Sequence, residues 1–258
     1  MIQLEEIMTI LSNEKIAADV YKMELSGNTE LVSMPGQFVN IKVPGFYLRR
    51  PISICDYEPG KLTIIYKLVG NGTDAMSKMQ AGDELNMLMG LGNGFNTELS
   101  GEYPLLVGGG VGTPPIYGLA KRLVAQGKKV SVVLGFASKQ DVFYQEKFSE
   151  LNENTTGGSC KVYVATVDGS FGTKGFVTNC LDEIEEISHY YACGPIPMLK
   201  ALIAKLDERQ KDIPGQLSFE ERMGCGFGAC VGCSIDTKSG YKKVCKDGPV
   251  FMSSDIVI

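Results

Sequence analysis

The chain has 258 residues, of which 44% are hydrophobic, and a formal net charge of −5 at pH 7. This length predicts two domains and a small further module. The acidic balance, without any lysine–arginine block longer than two residues, argues against a nucleic-acid or anionic-membrane surface. Because no stretch reaches the ~18 apolar residues of a membrane span, and the acidic first residues are unlike a secretory signal, we expect a cytoplasmic protein.

Residues 1–98 predict a small antiparallel β-barrel. Short β-like runs at 38–43, 62–66 and 84–88 are separated by glycine, proline and asparagine. Two places in this part are candidate anion sites. Arg50 and Ser53 lie three residues apart on one extended segment, where they can hold a phosphate and the polar edge of a flavin, although an ordinary basic strand is the alternative. The turn Gly70-Asn-Gly-Thr73 leads into a helix.

Residues 99–213 predict a parallel α/β sheet, because apolar strands alternate with helical patterns. The predicted strands are residues 103–107, 129–134, 162–165 and 189–193, and the predicted helices are residues 116–124, 181–187 and 197–205. The single histidine, His189, begins an apolar strand, so we interpret it as structural.

A glycine cluster follows the first strand of this sheet, as a nucleotide-binding loop would. Between strand and helix, glycines let backbone N–H groups approach a pyrophosphate. Thr113 interrupts the full Gly-x-Gly-x-x-Gly pattern and no acid ends the second strand, so a merely tight turn is an alternative. A later strand ends in Cys-Gly-Pro at the same edge of the sheet, which favours a nucleotide. The candidate nucleotide-binding residues are Gly108, Gly109, Gly110, Gly112, Thr113, Cys193, Gly194 and Pro195.

Residues 214–258 carry four of the eight cysteines, and their spacing is typical of a plant-type [2Fe–2S] cluster. The glycines between them let the loop wrap closely around inorganic sulfide. Zinc prefers two short knuckles, so zinc and disulfides are the weaker alternatives. The other cysteines have no framework spacing and are expected to be reduced thiols. The candidate cluster ligands are Cys225, Cys230, Cys233 and Cys245, and the scattered cysteines are Cys55, Cys160, Cys180 and Cys193.

Together these motifs resemble the ferredoxin–NADP reductase superfamily. With the cysteine-rich tail, the whole chain is similar to the electron-transfer subunits of class 1B dihydroorotate dehydrogenases. The residues that carry this resemblance are Pro35-Gly-Gln-Phe38, Arg50-Pro-Ile-Ser53, Leu91-Gly-Asn-Gly-Phe95, Asp168-Gly-Ser-Phe-Gly172, Glu220 to Cys233 and Lys246-Asp-Gly-Pro-Val-Phe251.

The resemblance implies an FAD-binding barrel at 1–98, an NAD-binding α/β domain at 99–213 and a [2Fe–2S] module at 214–258. No acid–base catalyst is implied, because the redox cofactors carry the chemistry. The residues that would hold FAD are Arg50, Pro51, Ile52, Ser53, Ile65, Tyr66, Lys67, Gly72 and Thr73.

The resemblance also implies a partner. This would be an FMN-containing catalytic subunit that oxidises dihydroorotate to orotate in pyrimidine synthesis, in a heterotetramer of two copies of each chain. Electrons would run from FMN through the cluster and FAD to NAD⁺.

Three positions depart from the wider superfamily. Ile52 stands where a tyrosine commonly stacks on the flavin, and Met89-Gly90 replaces an expected Gly-Pro. Ala137 stands where NADP-specific relatives often carry arginine, which favours NAD, although Lys139 is near.

Two other functions remain open on these residues. The first is the small subunit of an NADH-dependent ferredoxin–NADP oxidoreductase or sulfide dehydrogenase. Its first cluster ligand is typically aspartate, whereas this chain has Cys225. The second is a regulatory module without turnover, which would need no nicotinamide site and is therefore disfavoured by the glycine loop.

Overall fold

The computed structural model describes residues 5–152 and 157–258. Its first part is a closed barrel of six strands, in which every neighbouring pair is antiparallel. The strands follow the order β1-β2-β5-β4-β3-β6 around the barrel. Their bounds are β1 Glu5–Ala17, β2 Val20–Ser26, β3 Phe38–Lys42, β4 Arg50–Glu58, β5 Lys61–Lys67 and β6 Glu84–Leu91, with helix α1 at Asn71–Ser77 before β6.

Alternation of buried and exposed residues explains the barrel. In β6, Leu85, Met87 and Met89 are fully buried and the residues between them are not. Successive side chains of a strand point to opposite faces, so this pattern fills the barrel interior with aliphatic and methionine side chains. The predicted antiparallel barrel is confirmed.

The second part is a seven-stranded sheet in the order β10-β9-β8-β7-β11-β12-β15. All pairs are parallel except the last, β12 with β15. The strands are β7 Pro104–Gly109, β8 Lys129–Phe136, β9 Ser159–Thr166, β10 Thr173–Lys174, β11 His189–Cys193, β12 Gly215–Ser218 and β15 Val250–Met252. The helices are α2 Thr113–Ala125, α3 Gln145–Glu150 and α4 Ile196–Arg209. Within the described residues no helix is long and apolar enough to cross a bilayer.

One predicted helix is wrong. Residues 181–187 do not form an α-helix, because a 3₁₀ turn at Val177–Glu183 ends before Ile184. Several acidic residues lie at its end, where the negative end of a helix dipole would repel their carboxylates and destabilise a helix. Arg209 of α4 instead binds the carbonyl oxygens of Leu181 and Glu185, at 2.6 and 2.7 Å, and holds this segment without a helix.

The cysteine-rich segment is built into the rest of the molecule. Two of its strands, β12 and β15, extend the parallel sheet, and a hairpin of β13 Ser234–Thr237 and β14 Gly240–Lys243 follows the cysteine loop. Cys233 and Cys245 share one hydrophobic core with Phe38 of the barrel and Leu217 of the sheet. The boundary at residues 213 and 214 stays a prediction, but the segment folds against both other parts.

His189 lies in the core of the sheet and is 1% exposed. Its ring lies 4.6 Å from that of Tyr191, and Nε2 is 3.2 Å from the side-chain nitrogen of Gln216. Burial lowers the pKa of His189 to about 4, so the ring is neutral at pH 7. These contacts support its interpretation as a structural residue.

Candidate redox site

A cavity of about 760 Å³ opens at the carboxyl ends of the parallel strands. It lies where the strand order reverses, because β8 flanks β7 on one side and β11 flanks it on the other. In open α/β sheets this is where nucleotides bind. Among its lining residues are Lys67, Gly109, Gly110, Gly112, Phe136, Asp141, Phe176, Gly194, Pro195, Met198 and Glu220.

The two predicted nucleotide loops meet at this cavity. A Cβ atom on Gly112 would lie 2.1 Å from the carbonyl oxygen of Cys193, so only glycine permits the contact. Helix α2 begins immediately afterwards at Thr113, with prolines at its second and third positions. Gly108, Thr113 and Cys193 are not among the lining residues, and each is buried directly beside a residue that is. Burial, with the nearby Glu220 carboxylate, raises the pKa of Cys193 to about 12, so it remains a thiol.

On the barrel, the structure brings together two of the predicted FAD-binding places. The Arg50 guanidinium lies directly over Gly72, where a Cβ would come within 2.1 Å of Nε. Arg50 Nη1 donates to the Leu48 carbonyl at 2.6 Å, and its guanidinium lies 5.0 Å from the Phe46 ring centroid. These contacts hold the cation beside the backbone of α1.

The Thr73 hydroxyl is used within the turn that begins α1. It accepts hydrogen bonds from the backbone N–H groups of Val69 and Gly70 and donates to the carbonyl of Gly70. The Thr73 side chain therefore shapes the turn beside Arg50, and its hydroxyl is occupied within that turn.

The other predicted flavin contacts lie on different faces of their strands, some inside the barrel and some outside it. Tyr66 is buried inside the barrel, where its hydroxyl donates to Asn13 Oδ1 at 2.9 Å. Ile65 lies in the core shared with α2, and Lys67 opens onto the cavity. On β4, Pro51 pairs with Asn40, Ile52 with Val39 and Ser53 with Phe38, and all three β4 residues are half-buried.

The four cysteines of the tail lie together in two contacting pairs, Cys225 with Cys230 and Cys233 with Cys245. The backbone N–H of Cys230 points at Cys225 Sγ, at 3.4 Å. Gly226 and Gly228 have φ of +79° and +92°, a conformation that glycine adopts at least cost. Within the described residues no three His, Cys, Asp or Glu side chains converge on one metal ion. Two pairs suit a cluster with two irons.

The electrostatics of these thiols differ within the loop. Desolvation disfavours the thiolate of Cys225, but N–H groups of Cys230, Phe227 and Gly228 outweigh it and lower its pKa to about 6. Burial and the adjacent Cys233 raise the pKa of Cys245 to about 12. A bound metal removes this difference, because coordination deprotonates each thiol.

Comparison with known proteins agrees with this geometry. Residues 220–257 match the family model described as the iron–sulfur cluster binding domain of dihydroorotate dehydrogenase B, and residues 106–203 match an oxidoreductase NAD-binding domain. An electron transfer subunit of dihydroorotate dehydrogenase B (NAD(+)) from Geobacillus sp. is 45% identical over 98% of this chain and 99% of its own. The same subunit from Fusobacterium nucleatum is 42% identical over 98% of each chain.

The chain belongs to the family of dihydroorotate dehydrogenase B electron transfer subunits. It is therefore an oxidoreductase with NAD-binding and iron–sulfur-binding parts, as predicted. A solved structure of an NADH-dependent reduced ferredoxin–NADP oxidoreductase, studied for flavin-based electron bifurcation, has a TM-score of 0.84 and 30% identity over 97% of this chain and 89% of its own. That protein represents our alternative, and its lower identity favours the dihydroorotate dehydrogenase family.

A ferredoxin NADP⁺ reductase from Neisseria gonorrhoeae, with bound FAD and NADP, shares the fold at a TM-score of 0.67 and 17% identity. The match covers 81% of this chain and 92% of the reductase chain. This likeness agrees with the predicted barrel and α/β architecture.

Asp141 and Glu220 are carboxylates that line the cavity and that the sequence did not indicate. Asp141 follows β8 by five residues, so a search for an acid at the strand end misses it. Its carboxylate accepts hydrogen bonds from the backbone N–H and the hydroxyl of Ser138, at 3.1 and 2.8 Å. Glu220 follows β12, whose place beside β11 is visible only in the fold. Burial raises the pKa of Glu220.

The contact of the two loops makes Gly112→Ala informative. The φ of Gly112 is −76°, which alanine adopts readily, so the new Cβ acts only by its clash with Cys193. We expect affinity for NADH to fall at least about tenfold, or about 1.4 kcal/mol, while flavin and iron content stay unchanged. Titration with NADH under anaerobic conditions measures this, and an unchanged affinity would show that the loop contact does not shape the site.

Proposed function

We propose that this chain carries electrons between a catalytic partner subunit and NAD⁺, with one cofactor held by each of its three parts. Cys225, Cys230, Cys233 and Cys245 would hold the [2Fe–2S] cluster. Strand β4 and the start of α1 would hold FAD, and the cavity at the sheet edge would hold NAD. When bound, the cluster exchanges single electrons and the flavin exchanges hydride with nicotinamide.

One observation carries this proposal, namely that the cavity is bordered by all three parts of the chain. Lys67 comes from the barrel, Gly110 from the sheet, and Glu220 from the segment that leads to the cysteine loop. Glu220 stands only five residues before Cys225. A nucleotide in the cavity would therefore lie beside Lys67, one of the predicted flavin contacts, and beside the segment that leads to the cysteine loop.

The residues of the barrel fit an FAD pyrophosphate. Arg50 supplies a fixed cation, held by the Leu48 carbonyl before any ligand binds. Gly72 leaves the space that the guanidinium occupies. Because these groups are held in place, little side-chain freedom is lost on binding. Pro51, Ile52 and Ser53 continue the same strand towards Cys55, whose carbonyl oxygen lies against Gly118 of α2, and the isoalloxazine ring would lie along this part of β4.

The cavity fits NAD better than NADP. Asp141 faces it close to Ala137, where a 2′-phosphate would require a cation. A carboxylate here accepts hydrogen bonds from a ribose hydroxyl and repels a phosphate. Lys139 does not line the cavity, which removes the main objection to NAD that the sequence raises.

Asp141→Asn should relax this preference. The amide keeps the side-chain shape beside Ser138 but removes the negative charge. We expect the ratio of kcat/KM for NADPH to that for NADH to rise about tenfold, equivalent to about 1.4 kcal/mol. Asp182→Asn removes an equal charge from an acid that does not line the cavity and serves as the control. Equal ratios in both variants would contradict a role for Asp141.

The partner would be an FMN-containing subunit that oxidises dihydroorotate to orotate, in a heterotetramer of two copies of each chain. Membership in a family of electron transfer subunits supports a catalytic partner. We infer a cytoplasmic location, because all eight cysteines are free and four of them are better used as thiolates than as disulfides.

An anaerobic absorbance titration of the reconstituted chain, with NADH and NADPH in separate cells, tests this function. Bleaching of flavin and cluster by NADH is the expected result. Preference for NADPH would support the ferredoxin–NADP oxidoreductase alternative, and no bleaching by either nucleotide would support a regulatory module. Adding the FMN subunit and dihydroorotate should then produce NADH, and native mass measurement gives the stoichiometry.

A further inference from the structure

Asn40 connects the barrel directly to the cysteine loop. It lies on β3, opposite Pro51 of β4, and is 1% exposed. Its side-chain Nδ2 donates to the carbonyl oxygen of Cys225 at 3.2 Å. A Cβ on Gly226 would lie 2.2 Å from this nitrogen, so the glycine allows the amide to reach the loop. The first cluster ligand is thereby tied to the strand next to the predicted flavin strand.

Asn93 makes the equivalent connection at the other end of the cysteine segment. It follows β6 by two residues, and its Nδ2 donates to the carbonyls of Lys246 and Asp247, at 3.2 and 3.1 Å. Its backbone N–H donates to Gly248 at 2.6 Å. A Cβ on Gly92 would lie 2.5 Å from the Pro249 ring. The barrel therefore also binds the residues that immediately follow Cys245.

These contacts give a structural role to two sequence motifs that have no role in the proposed function. The motif of residues 91–95 lies against the motif of residues 246–251. Cys225 and Cys245 belong to different cysteine pairs, so the two asparagines bind both halves of the cysteine site. Both are side-chain amides of the barrel that donate to main-chain carbonyls of the cysteine segment.

We propose that Asn40 and Asn93 are positioning residues that clamp the cluster module onto the flavin barrel and so set the geometry of electron transfer between the two cofactors. The proposal rests on the proposed function. Neither residue touches a reacting atom, and each acts through the backbone next to a cluster ligand.

The surroundings of Asn40 argue against a role in stability alone. Its Oδ1 is buried and has no hydrogen-bond partner among the described residues. Burying an unpaired carbonyl oxygen is unfavourable, so a leucine of similar shape would lose the hydrogen bond to Cys225 but would also remove this cost, and we expect little net change in stability. An amide at this place is therefore explained by what Nδ2 holds, namely the carbonyl of Cys225.

The test uses the full chain reconstituted with FAD and the cluster, as wild type, Asn40→Leu and Asn93→Ala. Rapid mixing with NADH follows flavin and cluster absorbance separately, and electron paramagnetic resonance records the reduced cluster. We expect unchanged flavin reduction, but cluster reduction slower by about tenfold to 100-fold, the usual effect of removing groups that orient metal ligands. The melting temperature of Asn40→Leu should change little, because removal of the unpaired Oδ1 offsets the lost hydrogen bond to Cys225.

Asn152→Ala is the matched control, because the Asn152 amide also donates to backbone carbonyls, those of Ser149 and Cys160, but in the sheet. It should leave cluster reduction unchanged. Wild-type rates of cluster reduction in both test variants would overturn the proposal. So would failure of both variants to assemble the cluster, since the residues would then hold the module together. As a second arm, the flavin is reduced photochemically without nucleotide, and the rates of cluster reduction in the variants are compared again. If NADH fails to reduce the flavin, that result counts only against the proposed function, because the photochemical arm still tests the two asparagines.

Discussion

Cys230→Ser is expected to lose the [2Fe–2S] cluster and, with it, electron exchange with the partner subunit. Cys230 provides a side-chain contact to Cys225, so its replacement removes one ligand and alters the surroundings of a second, although the backbone N–H of residue 230 is kept. Serine oxygen is a poor substitute for thiolate at iron. We expect partner-linked turnover to fall at least about 100-fold, beyond what loss of a ligand-orienting group causes.

The same variant should still oxidise NADH with an artificial acceptor, because the cavity and the flavin strand lie on other elements. Iron and sulfide content, flavin content and both activities are measured on one preparation. Cys180→Ser is the control, since this buried thiol belongs to the sheet core and not to the cysteine loop. If both activities fell equally in Cys230→Ser, the cluster would not be a separate step between partner and flavin.

Local patterns in the sequence predict much of this fold. Short β-like runs separated by glycine, proline and asparagine predict the barrel, and the strand–glycine–helix order at residues 104–113 predicts the start of the sheet. The cysteine spacing predicts the cluster loop because its ligands lie close together in the chain. Each of these features depends on residues that follow one another along the chain.

Features that depend on distant pairing are not predictable in this way. Strand β12 joins the sheet through β11, and β15 joins through β12, so neither the edge of the sheet nor the position of Glu220 follows from local pattern. Tyr66 shows a similar limit, because the inward face of β5 is set by barrel closure and places the ring in the core. The failed helix at residues 181–187 depends on Arg209, which binds the segment from another element.

Arg50→Ala is expected to produce a protein that folds but purifies largely without FAD. The guanidinium lies over Gly72 at the start of α1, so its removal takes a fixed positive charge from the place where the pyrophosphate is proposed to bind. A charge-assisted phosphate contact contributes about 2 kcal/mol, so FAD affinity should fall roughly 30-fold. Arg50→Lys keeps the charge but not the planar fork, and an intermediate affinity is expected.

The neighbouring arginine separates this effect from a general loss of charge. Arg49 donates to the carbonyls of Asn40 and Asn86 and pairs with Glu5 at 2.8 Å, away from Gly72. Arg49→Ala should therefore keep its flavin even if the barrel is somewhat less stable, because an ion pair with an exposed carboxylate contributes little. Flavin occupancy is measured from the flavin that heating releases, and FAD affinity is measured by titrating the apoprotein with FAD. Full flavin occupancy in Arg50→Ala would mean that the pyrophosphate binds elsewhere on the barrel, whereas loss of flavin in both variants would point to folding of β4 as the cause.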